Sequence, residues 1–133
     1  MIPVGRWFER KFTFDIPIHL YSNVVDRLRG APVRLEEATR DLSPEVLTRR
    51  LNGTWSIQEN AGHLVDLEAL HTTRLQEFLN GVRLLTAADL KNEKTHNANH
   101  NAKALESILQ AFRRDRSHFV SMAEGLGEDV ITR

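Results

Sequence analysis

The sequence predicts an all-α fold, and three observations carry the prediction. Apolar residues recur at helical spacing after Ser56 as far as Asn80, and again from Ala104 to Glu124. Ser56 and Glu59, three apart just before the first of these runs, form a capping-box pattern in which each side chain satisfies a free backbone N–H of the other. No stretch alternates apolar and polar residues as a half-buried strand does.

Residues 1–17 read as an irregular or extended N-terminal arm, punctuated by Pro3, Gly5 and Pro17. Trp7, Phe8, Phe12 and Phe14 alternate with Arg6, Arg10 and Lys11, a mixture also found where bases of single-stranded nucleic acid stack. Glu9 and Asp15 dilute that charge, and the arm is expected to pack its rings on the helices. From Ile18 to Arg29, Tyr21, Val24, Val25 and Leu28 follow helical spacing, and Gly30 interrupts. Pro32 suits the first turn of a continuation to about Leu42, so the segment reads as one broken helix. Ser43-Pro44-Glu45 is a further start signal, N-cap then proline, and opens a short helix with Val46, Leu47 and Leu51.

After the Gly53 turn, the long helix from Ser56 ends at Gly81. With His63 set at zero and about 100° per residue, Leu67, Phe78, Leu64 and Leu75 fall between about 40° and 120°. Leu70 lies near 340°, so His63 sits inside the apolar arc, while Asp66, Thr72 and Gln76 fall outside. A histidine in such a seam is either a core residue with a hydrogen-bond partner or a metal ligand. His71, two turns on, is displaced about 12 Å along the axis. A shared ion needs nitrogens within about 2.0–2.1 Å, so His71 reads as a packed or second-layer residue. Asn60 could orient a water or substrate group, or satisfy a backbone group.

A loop of about 15 residues follows, longer than most connections in a compact bundle. It leads through Thr95-His96-Asn97-Ala98-Asn99-His100 to the start of the last strong helix, which Gly125 and Gly127 stop. His96 and His100 have the i, i+4 spacing that puts two imidazoles on one helical face, as zinc sites on helices require. They read either as ligands to the same metal as His63 or as exposed residues of a frayed start. Asp115 falls in the apolar arc of the last helix and Arg74 in that of the preceding long one. A charge in a seam is costly unless paired, so a structural Arg74–Asp115 bridge is expected. Glu68, Glu77, Arg113 and Lys103 read as solvated or boundary positions. There is no Gly-rich phosphate loop, no serine with a plausible base and no Glu-x-x-His pair of the di-iron type.

Trp-Ser-Ile-x-Glu-x-x-Gly-His-Leu-x-Asp-Leu-Glu, residues 55–68, resembles the second-helix signature of the DinB/YfiT-like superfamily. A looser similarity extends over residues 6–126, through helix lengths and the Phe-Arg-x-x-Arg run at 112–116. The resemblance implies a four-helix up-down bundle and a divalent-metal site of three histidines, of which His63 matches the first. It also implies hydrolase or thiol-transferase chemistry, the metal (zinc, nickel or similar) lowering the pKa of a bound water or thiol; the sequence identifies no substrate, and a small molecule is one option. The family's other two histidines form a His-x-x-x-His pair on the last helix, and this chain stops at Arg133 before any such helix. Either the chain is a fragment of a longer protein, or a second copy completes the bundle as a homodimer. The rival to a metal-dependent enzyme is a non-catalytic helical dimerisation or binding module with a degenerate site.

Length and composition bound these readings. At 133 residues the chain is read as a single domain, 1–133, C-terminally short for the family. Eighteen acidic and eighteen basic residues balance, which argues against a protein built to grip nucleic acid. The lack of cysteine excludes disulfides, thiolate metal sites and a cysteine nucleophile. No apolar run approaches a membrane span, and no secretory apolar core follows the N-terminus, so a cytoplasmic location is expected.

Overall fold

The computed structural model describes residue 6 and residues 9–133, and the chain in it is helical without strands among those residues. Its helices are α1 (Tyr21–Thr39), α2 (Pro44–Thr48), α3 (Ile57–Leu79), α4 (Glu93–Asn97), α5 (Leu105–Glu124) and α6 (Glu128–Ile131). Single 3-10 turns at Ile18–Leu20 and His100–Ala102 precede α1 and α5. Trp7 and Phe8 of the expected arm lie outside the described residues. Phe14 is 97% exposed, so its ring does not cover the helices as expected, and Phe12 is 54% exposed. Residues 10–17 form no helix that would hold a ring face against α1.

α1 is continuous, where a break was expected at Gly30 and Pro32. Proline inside a helix leaves the carbonyl four residues earlier without its donor. Here that carbonyl, Leu28 O, accepts instead from Arg116 Nη1 at 3.1 Å. The helix thus runs through a buried proline because a neighbouring helix satisfies the orphaned acceptor.

Ser43 caps α2 with Pro44 in its first turn, as its sequence predicts. Asn52 and Gly53 (φ 52° and 75°) then turn the chain back in the left-handed region. The capping box of α3 is complete: Ser56 Oγ accepts from Glu59 N at 3.0 Å, and Glu59 Oε2 accepts from Ser56 N at 2.9 Å. Gly81, at φ 70°, ends the helix where a left-handed residue is needed.

α5 packs along both α1 and α3, while α1 and α3 meet only sparsely. Val25, Val120 and Ala123 form the centre of the α1–α5 contact, flanked by Tyr21 and Leu28, and the Tyr21 hydroxyl donates to Ala123 O at 2.9 Å. Ile108 and Phe112 are 3% and 1% exposed. Leu64 and Phe78 of α3, both 37% exposed, belong to the part of its apolar stripe that stays uncovered, as does Ile57 at 40%.

The expected Arg74–Asp115 bridge does not form. Arg74 Nε donates to Thr86 O at 2.8 Å, holding the loop after α3, and Asp115 pairs with its neighbour Arg114. The buried pair is Glu68 with Arg116, whose side chains are 1% and 9% exposed. Arg116 Nε donates to both Glu68 oxygens at 3.1 and 3.0 Å, and Nη2 to Oε1 at 2.5 Å. Arg116 Cζ also stands 4.9 Å over the Phe112 ring. Glu68, expected at a solvated or boundary position, is among the most buried side chains of the described residues. Burial pushes its carboxyl up, but His71 and Arg116 outweigh that and hold it below the usual carboxylate range. Among the described residues no helix is long and apolar enough to cross a membrane.

Candidate functional site

The capping box sets where α3 begins, and hence which residues face the segment 93–103. Seven residues into the helix, His63 meets α4, and Asp66 follows one turn later on the same side. α4 owes its start to Asp89, whose carboxylate accepts from Lys91 N and Glu93 N at 3.1 and 2.6 Å. That start places Thr95, buried, against α3.

Asn99 adopts φ 51° and breaks the chain between α4 and the 3-10 turn. His96 and His100 therefore do not share a helical face: His96 belongs to α4 and is exposed, His100 to the 3-10 turn and is buried. The i, i+4 spacing misleads here because a left-handed residue intervenes. Gln58 Nε2 donates to His100 O and Lys103 O, both at 2.7 Å, tying the 3-10 turn to the first turn of α3. Ser56 Oγ donates to Asn101 Oδ1 at 2.6 Å and strengthens the same link. Gly62 makes room for the turn: a Cβ there would lie 2.2–2.4 Å from the His100 ring.

These constraints assemble a chain of polar groups. His63 Nδ1 lies 2.9 Å from Thr95 Oγ1, which donates to Asp66 Oδ2 at 2.8 Å. His100 Nε2 reaches the same Asp66 oxygen at 2.8 Å, and Lys103 Nζ lies 3.4 Å from His100 Nδ1. Both nitrogens of His100 are thus committed. His63 Nε2 has no hydrogen-bond partner among the described residues, yet no buried side-chain nitrogen or oxygen is left unpartnered. Nε2 is therefore accessible.

Trp55 packs against both His63 and His96, with ring centroids 5.0 and 5.3 Å away. Burial lowers the pKa of His63, His100 adds to the lowering, and Asp66 opposes it. The net effect favours a neutral imidazole, the form that donates an electron pair. His63, Asp66, Leu67, Leu70 and Thr95 line a cavity of about 240 Å³, to which Asp89, Asn92 and Lys94 add further polar groups.

Asp66 and Thr95 were not legible as site residues. Asp66 falls outside the apolar arc, although it lies one turn from His63, and Thr95 belongs to a polar stretch with no periodic signal. His71 stands apart from this group, 3.6 Å from Glu68 and against the Phe119 ring, in keeping with a packed role. Asn60 satisfies the Ser56 carbonyl at 2.8 Å. Among the described residues, no group of three or more His, Cys, Asp or Glu side chains is arranged to hold a metal ion.

No curated protein and no solved structure matches the chain at a significant level. The family model described as the DinB superfamily matches residues 27–133, a span that takes in α3, the polar chain around His63 and the Glu68–Arg116 pair. This chain belongs to the DinB superfamily.

Proposed function

We propose that the chain is a metal-dependent, enzyme-like member of its superfamily, of hydrolase or thiol-transferase type, and that His63 Nε2 gives one imidazole ligand to a divalent ion such as zinc or nickel. One observation carries the reading: His63 is anchored through Nδ1, held neutral, and left with an accessible, unpartnered Nε2. The donors described here do not complete a metal site by themselves. His100 has no free nitrogen to offer, and His96 packs on the same Trp55 as His63 without a hydrogen bond to it among the described residues.

The remaining ligands would enter at the uncovered stripe of α3, beside Leu64 and Phe78, where a fourth helix would complete an up-down bundle. A second copy of the chain is the proposed source, making a homodimer in the cytoplasm that acts on a small molecule. The accessible surface of 10033 Å² supports an uncovered face, since a compact monomer of 15.2 kDa has about 7,100 Å². Part of that excess belongs to residues 10–17, which form no helix.

Thermal unfolding with and without Zn²⁺ or Ni²⁺ tests the reading. Binding to the folded state alone raises the melting temperature, and His63→Ala is expected to abolish the increment. An equal increment in the variant would remove His63 from the site. The commitment of both His100 nitrogens favours one second reading, a non-catalytic dimerisation or binding module with a degenerate metal site. No increment in either protein, with a stable dimer, would support it.

A further inference from the structure

We propose that Thr95 and Asp66 are positioning residues that lock neutral His63 into one tautomer, with the proton on Nδ1 and the electron pair on Nε2. The inference rests on the reading of His63 as the donor of the site, and it names the residues that make it one.

The argument is a count of protons. An ionised Asp66 carboxylate can only accept, and its Oδ2 stands 2.8 Å from both Thr95 Oγ1 and His100 Nε2. Each of those contacts therefore takes its proton from the other side. A threonine hydroxyl has a single proton, and it is spent on Asp66. The contact of 2.9 Å between Thr95 Oγ1 and His63 Nδ1 must then be filled from the imidazole, as Nδ1–H to oxygen. The reverse assignment would set two acceptor oxygens 2.8 Å apart with no proton between them.

A neutral histidine in water favours the opposite tautomer, so the lock selects the less common form. His100 is set in the complementary sense, with Nε2–H donated to Asp66 and Nδ1 facing the Lys103 ammonium. One carboxylate thus decides the proton positions of two histidines, and only His63 keeps an available electron pair. Thr95 is suited to the task because it is buried on α4, where water does not compete for its single proton. The chemistry presented at Nε2 is that of a neutral electron-pair donor in a fixed direction, matched to a divalent cation.

Long-range ¹H–¹⁵N spectra of the histidine rings in the metal-free protein at pH 8 read the tautomer directly, with His63→Gln identifying the resonances. The wild type and Thr95→Ser are expected to show His63 protonated on Nδ1. Thr95→Val, which keeps the shape and removes the hydroxyl, is expected to move the proton to Nε2 or leave a mixture. Its Ni²⁺ affinity should fall by roughly 10–100-fold, as happens when the group orienting a ligand is lost. A wild-type His63 protonated on Nε2 overturns the lock, as does an unchanged tautomer in Thr95→Val. The wild-type spectrum decides even if the valine variant fails to fold. A locked tautomer without Ni²⁺ binding would retire the metal reading and keep the lock. Ni²⁺ binding with the opposite tautomer would do the reverse.

Discussion

Arg116 makes good the hydrogen bond that Pro32 removes. Its Nη1 donates to the Leu28 carbonyl that the proline leaves without a helical donor, while Nε and Nη2 grip Glu68. One guanidinium therefore ties α1, α3 and α5 together in a buried seam. Arg116→Ala strands a buried carboxylate and an unsatisfied carbonyl, and is expected to cost about 3–5 kcal/mol in urea unfolding. Arg74→Ala and Asp115→Ala are expected to stay within about 0.5 kcal/mol each and to be additive, since neither touches the other. A coupling between positions 74 and 115 in a double-mutant cycle would contradict the observed pairing.

Gly62→Ala tests how the His100 turn is seated. In a helix interior, glycine to alanine normally gains about 1 kcal/mol. Here the new Cβ would meet the His100 ring at 2.2–2.4 Å, and overpacking of this kind costs about 1–3 kcal/mol. The expected outcome is a net loss of stability, partly relieved when His100→Ala is added. A stabilised Gly62→Ala protein would show that the ring has room to move.

Glu59 should dominate one part of the acid limb. Its side-chain hydrogen bonds with Arg50 lower its pKa to about 2 against the opposing effect of burial, with the Ser56 backbone N–H helping. A carboxylate whose folded pKa is depressed stabilises the fold above its unfolded pKa, and that stability is lost as pH falls through the folded value. Glu59→Gln keeps the hydrogen-bonding shape of the capping box but removes the charge. The stability difference between wild type and Glu59→Gln should be constant at neutral pH, shrink below about 4.5 and be lost as pH falls through about 2. A difference independent of pH over that range would mean that Glu59 acts through shape alone.

Self-association should depend on the uncovered stripe of α3. Wild-type protein is expected to sediment as a dimer at low micromolar concentration. Leu64→Glu with Phe78→Glu should convert it to a monomer with little loss of stability, because both side chains are already 37% exposed. A wild-type monomer under those conditions would leave the stripe without a second copy to cover it.

Much of the helical architecture was legible in the sequence because its determinants are local. Ser56 with Glu59, Ser43 with Pro44, and the stop glycines at 81 and 125 act within a turn or two, and the structure places α2, α3 and α5 close to where these signals point. His63 was legible as the singular residue of α3, since helical periodicity sets an imidazole inside the apolar arc.

The rest required the tertiary structure, because it depends on partners far apart in the chain. Pro32 reads as a break until Arg116 supplies the missing donor. Glu68 reads as a surface acid until that same guanidinium arrives. Arg74 and Asp115 share an inward angle in their helices, but periodicity carries no axial register between helices, and they find other partners. The spacing of His96 and His100 presumes a continuous helix, and a left-handed Asn99 cancels it. Asp66 and Thr95 become a pair only when α4 packs on α3, and their contact settles which nitrogen His63 has to offer.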